Sequence, residues 1–125
     1  MPSHRANAYG TAIEYKMAEK FGLDLERASW RDAVDSDGRP VEIKAAMRET
    51  ADGQPGSLKI YWQYHEKLRS HGGHYVLAVY RRRGTGVQVL ATERRHASRL
   101  PLSTWHGGGD HRDTQQGKVS VSILL

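Results

Sequence analysis

Between Arg31 and Ala45 an isolated aspartate, Asp32, is followed after nine residues by Glu42-Ile43-Lys44 on an apolar strand. Val41, Ile43 and Ala45 mark that strand as buried, and charges are rarely interleaved on a strand covered on both faces. Side chains alternate along a strand, so Glu42 and Lys44 share one face while Ile43 points to the other. Two carboxylates buried beside an ammonium are costly unless a cation joins them. The chain must therefore fold so that a short hairpin gathers these charges.

The turn decides whether Asp32 joins them. A two-residue Asp37-Gly38 turn would pair Asp32 with Ile43 and face it away from Glu42. A three-residue Ser36-Asp37-Gly38 loop, with Gly38 in the left-handed position, sets Asp32 opposite Glu42. Both turns suit the sequence. The three-residue loop is expected, because the other register buries Asp32 without a partner. Directly opposed residues have Cβ atoms about 4.5–5.5 Å apart, a span one metal ion bridges at roughly 2.1–2.5 Å per oxygen. Asp35, Ser36, Asp37, Gly38 and Arg39 read as no more than a turn.

At 125 residues, one domain spanning 1–125 is expected, long enough to bury roughly two-thirds of its unfolded surface. The absence of cysteine excludes disulfides and thiolate zinc sites. No apolar stretch approaches about 18 residues and no signal-peptide core is present, so a soluble, cytoplasmic protein without membrane contact is expected. The net charge of +5 is unevenly spread. Residues 1–64 carry nine Lys/Arg against ten Asp/Glu, whereas residues 65–112 carry nine against three and hold six of the seven histidines. A basic half beside an acidic motif suits a protein that grips a polyanion and coordinates metal.

The pattern of elements frames the motif. Ser3 or Asn7 caps a helix to about Phe21, with Tyr9, Ile13, Met17 and Phe21 at four-residue spacing and Ala12 beside them. Glu14 borders that stripe. Gly10 inside the helix costs about 1 kcal/mol relative to alanine, which invites a reason such as close approach of a strand. Strands are expected near Asp24–Ala28, Arg31–Val34 and Pro40–Ala45, then a loop over 48–56. Ser57 caps a second helix with Leu58, Tyr61, Trp62, His65 and Leu68 inward, ended by Gly72-Gly73. His74–Arg81 and Val87–Leu90 are strands, 92–99 a short basic helix, and 106–117 a Gly/Asp/His loop. Val119, Val121 and Ile123 alternate with serines as in a half-exposed final strand.

Asp32, nine intervening residues and Glu42-Ile43-Lys44 resemble the signature of the PD-(D/E)XK nuclease superfamily, which includes restriction endonucleases and archaeal-type Holliday-junction resolvases. Tyr9-Gly10-Thr11-Ala12-Ile13-Glu14 resembles the opening helix of resolvase-like members, in which a glutamate four residues after a glycine supplies a third acidic ligand. Ile60-Tyr61-Trp62-Gln63 begins the helix that follows the Glu-X-Lys strand. The likeness covers roughly residues 9 to 81. Arg31 stands where the family often has proline.

The resemblance implies an α/β, restriction-endonuclease-like αβββαβ core with a mixed sheet flanked by helices. It implies a metal-dependent DNA endonuclease, most simply a structure-selective Holliday-junction resolvase of recombination and repair. Asp32, Glu42, the Ile43 carbonyl and Glu14 would hold one or two Mg²⁺ ions, with Mn²⁺ as a substitute; hard oxygen donors suit such cations. Lys44 would orient the attacking water or stabilise developing charge, leaving a 5′-phosphate and a 3′-hydroxyl. Gln63 is a candidate for the phosphate backbone.

Arg81-Arg82-Arg83 at a strand end, with Arg94 and Arg95, would contact phosphates without reading sequence. The substrate is then branched or duplex DNA, and cutting two strands calls for a homodimer. His71 and His74, or His106, Asp110 and His111, have spacings compatible with zinc, but their glycine-rich surroundings favour solvated histidines. His65, on an apolar helix face, reads as a satisfied core residue. Two other functions remain open: a sequence- or strand-selective nicking or restriction-like enzyme, and a non-catalytic nucleic-acid-binding module on the same fold. The charges kept at Asp32, Glu42 and Lys44 favour an enzyme.

Overall fold

The computed structural model describes residues 4–106 and 115–125. It opens with α1 (His4–Phe21), whose Ile13, Met17 and Ala18 are buried with Phe21 packed alongside. Tyr9 is half-buried and Ala12 faces solvent. Three strands follow: β1 (Asp24–Ala28), β2 (Arg31–Val34) and β3 (Pro40–Met47). Then come β4 (Ser57–Tyr61), α2 (Trp62–Ser70), β5 (His74–Arg83) and β6 (Gly86–His96). Two short strands, β7 (Ser103–His106) and β8 (Gln115–Ser120), complete the described elements.

The main sheet runs β1-β2-β3-β5-β6. Only β3 and β5 are parallel, joined by a crossover that contains α2, so the sheet is mixed. This is an α/β core with helices on both faces, as the sequence led us to expect. Alternation along the central strands builds two cores. Val41, Ile43, Val76 and Ala78 pack against α1. Tyr75, Leu77 and Val79 face the other way, against Leu58 and Ile60 of β4, Leu68 of α2 and Val119 of β8. That second layer is a small sheet of order β4-β8-β7. Among the described residues, no helix is long and apolar enough to cross a membrane.

The expected loop over 106–117 gives way to β8 from Gln115 onward, and its residues 107–114 lie outside the described residues. Three further expected elements differ, the first two because a distant partner overrides a local pattern. Ser57 does not cap a helix: Ser57–Tyr61 is a strand paired with Gln116–Ser120. Leu58 and Ile60 alternate inward there, and the helix begins only at Trp62. The expected basic helix over 92–99 is instead the end of β6, paired with β5 as far as His74↔His96, with only Ala97–Arg99 forming a 3-10 turn. The expected final strand through Ile123 stops at Ser120, and Val121–Leu124 is a second 3-10 turn.

Close packing is strictest at Gly56, where a Cβ would lie 1.9 Å from the Met47 carbonyl oxygen, and it also excludes a Cβ at Gly73 and Gly117. Gly10 has no comparable reason, because a Cβ there would meet nothing within 4 Å among the described residues.

Candidate metal and phosphodiester site

The β2–β3 hairpin adopts the three-residue loop. Ala33 pairs with Val41 and Val34 with Pro40, so the next residues outward, Asp32 and Glu42, stand opposite each other on one face. Gly38 takes a φ of 80° in the loop. Asp35 Oδ1 accepts from the N–H groups of Asp37 and Arg39, each at 2.9 Å, and closes the turn.

Asp35 is more than the turn residue it seemed. It is 7% exposed, and its other carboxylate oxygen pairs with Arg94 of β6. Burial pushes its carboxyl up, but hydrogen bonds from Arg39, Arg94 and Asp37 outweigh this and leave it below the ordinary carboxylate value. Arg94, expected to contact nucleic acid, is thereby tied to the β2–β3 hairpin.

Asp32 Oδ2 accepts the N–H of Ile43 at 2.9 Å. A strand residue turns its N–H and C=O toward the same neighbour, so the Ile43 carbonyl lies on the Asp32 side as well. Glu42 is 8% exposed. Burial, then a hydrogen bond with Asp32, push its carboxyl up to about 9, and the charges of Asp32 and Glu14 act in the same direction. Lys44 opposes the shift, with its Nζ 4.0 Å from Glu42 Oε2.

Two carboxyl groups that share a hydrogen bond beside a backbone carbonyl form a hard, anionic donor set. Such a set fits a divalent cation, which neutralises both charges and removes the cost of burying them. Among the described residues no group of three His, Cys, Asp or Glu side chains gathers for a metal. Any such ion would therefore complete its shell from backbone, water and substrate, as Mg²⁺ commonly does.

Glu14 lies close enough for its charge to act on Glu42, but its Oε2 is held by Arg27 at 2.6 Å. The pair raises the Arg27 pKa, and the charge of Asp32 adds to that. Arg27 is thus paired with Glu14 and feels the charge of Asp32, and nothing in its local sequence marks it. Tyr75, the register partner of Glu42 on β5, is also new to the site. Burial and the Glu42 charge hold its hydroxyl well above the tyrosine range, and that hydroxyl meets His65 Nδ1 at 2.8 Å. His65 is thus a satisfied core residue. Its own pKa is lowered, mainly by burial. Trp30, in the turn before Asp32, packs on His71 at 4.9 Å, and the Lys67 ammonium lies 5.1 Å from its ring centroid.

The remaining candidates separate. Gln63 is exposed in the first turn of α2. Arg81, Arg82 and Arg83 follow Tyr75 by six to eight residues along β5, about 20–26 Å at ~3.3 Å per residue. They sit at the end of the sheet remote from the carboxylates, where Arg81 bonds Gln88 and Arg82 covers the Tyr9 ring. Arg95, by contrast, is the partner of Tyr75 and shares the cross-sheet row of Glu42. His71 packs on Trp30 and His74 on His96, so the two do not form a zinc pair. Asp110 and His111, with the His106 side chain, lie outside the described residues.

No curated protein matches the chain. Over residues 1–125 it matches the family described as the PD-(D/E)XK nuclease superfamily domain. With the hairpin that sets Asp32 against Glu42 and carries Lys44 on the same strand face, this match shows that the chain belongs to the PD-(D/E)XK nuclease superfamily.

Proposed function

We propose that residues 1–125 form one catalytic domain, an Mg²⁺-dependent endodeoxyribonuclease that cuts branched DNA as a homodimeric Holliday-junction resolvase. A nuclease domain implies a nucleic-acid substrate, and nucleases of this superfamily generally use divalent metals. The observation that carries the reading to this chain is the register that opposes Asp32 and Glu42 across the hairpin.

Asp32, Glu42 and the Ile43 carbonyl would hold the ion. When bound, it would lower the pKa of a water and neutralise charge on the reacting phosphate. Glu14 and Arg27 steady the acidic side of the site from α1 and β1. Lys44 is 34% exposed at its side chain, free enough to donate a proton to a hydrogen bond with the attacking water or a phosphate oxygen. Water adds to phosphorus as the bond to the 3′-oxygen breaks, which leaves a 5′-phosphate and a 3′-hydroxyl. Among the described residues the two α-helices both pack against the sheet layers, which favours recognition of DNA shape.

The test is cleavage of labelled four-way junction, duplex and single-stranded DNA with Mg²⁺, beside Glu42→Ala. Paired nicks in the junction alone, lost in the variant, are expected. Cutting of plain duplex would keep the nuclease and discard the resolvase. Binding without cutting of any substrate would discard the enzyme.

A further inference from the structure

The outer edge of β6 pairs with no other strand among the described residues. At its His96 end a cavity of ≈ 550 Å³ is lined by His74, Glu93, Arg94, Arg95, His96 and Arg99. We infer that this cavity is a phosphate pocket that seats a DNA strand beside the Asp32–Glu42 centre, a proposal that rests on the nuclease reading.

Three guanidinium groups line the cavity against one carboxylate. Two of the guanidiniums are already oriented by protein partners. Arg95 Nη2 meets Glu93 Oε2 at 2.9 Å, and its Nη1 donates to the Arg99 carbonyl at 3.3 Å. Arg94 is fixed through Asp35. A guanidinium carries five N–H donors in a planar fork, so each held arginine keeps donors for a phosphate in a preset direction.

The imidazoles point to a polar occupant as well. His74 Nδ1 is buried without a hydrogen-bond partner, and the His74 and His96 rings meet edge to face at 5.1 Å. An unpaired buried polar atom calls for a partner, such as a water or a ligand.

Position supports the choice of a phosphate that belongs to the nuclease substrate. Glu42, Tyr75 and Arg95 are successive register partners across three strands. Two interstrand steps of about 4.8 Å place Arg95 about 10 Å from Glu42. At ~3.4 Å of axial rise per nucleotide, that is roughly three nucleotides from a scissile bond. The arginines at 81–83 lie too far along β5 to serve the same strand segment there.

The experiment measures binding of the full chain to a labelled duplex in EDTA across a salt series, for the wild type and Arg95→Ala/Arg99→Ala. Two lost phosphate contacts should reduce the slope of log affinity against log salt by about 1.8. The loss should be alike for unrelated sequences. An unchanged slope, or a wild type that binds no DNA, overturns the pocket. Should the double variant not fold, Arg99→Ala alone, at an exposed position, should lower the slope by about 0.9. Duplexes with 5′-phosphate and 5′-hydroxyl ends separate the two sources of the anion. A slope change seen only with the phosphorylated end assigns a terminal phosphate, and one seen with both assigns an internal diester. Cleavage in Mg²⁺ is scored separately: cutting with an unchanged slope removes the pocket alone, and a lowered slope without cutting removes the enzyme reading alone.

Discussion

Lys44 and Asp35 show how differently two charged residues of one hairpin are used. Lys44 sits 4.0 Å from Glu42 with its side chain 34% exposed, so its ammonium can meet developing charge. Lys44→Ala should lower kcat by about 10²–10³-fold while DNA binding, read by anisotropy, stays within a few-fold. A variant of normal kcat would remove Lys44 from the chemistry. Asp35 instead joins the hairpin to β6 through Arg94. Its carboxyl is held below the ordinary value by hydrogen bonds that outweigh burial. Its stabilising effect is therefore present above the unfolded carboxylate pKa of about 3.9 and is lost as pH falls through the lower folded value. Asp35→Ala should cost about 1–3 kcal/mol at pH 7 and flatten the acid limb of a urea-midpoint profile. An acid limb identical to the wild type would assign that sensitivity to other carboxylates.

Helix α1 and the β2–β3 hairpin make opposite demands on glycine. Gly10 lies within α1 in open space, so Gly10→Ala should stabilise by about 0.5–1 kcal/mol in urea unfolding. A loss would mean that the flexible residue serves the start of the helix in some other way. Gly38 holds a φ of 80° in the loop that sets the register. Gly38→Ala should cost about 1–2 kcal/mol and reduce cleavage further, because any slip of one residue turns Asp32 away from Glu42. Equal stability and activity in that variant would show that the turn tolerates another geometry. At this scale the periodic elements were legible: α1 and the first three strands follow from spacing and turn residues. Ser57–Tyr61 was not, because Leu58 and Ile60 fit a strand while Leu58, Tyr61, Trp62 and His65 fit a helix. Only pairing with β8, far along the chain, selects the strand.

For the whole molecule, the two cores hold the carboxylate pair between α1 and the α2 layer, and the energetic cost of that burial is large. A divalent ion that removes it must raise stability. Mn²⁺ at about 100 times its Kd should add ~2.7 kcal/mol to unfolding, seen as a higher melting temperature. The shift should vanish in Glu42→Ala. A shift that survives the variant would place the ion elsewhere. The candidate site was legible in the order of Asp32, Glu42 and Lys44, since residue type and spacing along one hairpin are local facts. Which arginines stand near it was not. Arg81–Arg83 and Arg94–Arg95 look alike as basic runs, but β5 carries the first away from Glu42 while β6 returns Arg95 to its row. Arg27, Tyr75 and the Asp35–Arg94 pair likewise join residues distant along the chain. Sequence alone determined the hairpin, the helix that opens the chain and which groups are candidates to hold a metal, through short-range sterics and side-chain chemistry. The folded structure decided which strand lies beside which, because that choice depends on burying apolar faces from segments far apart in the chain.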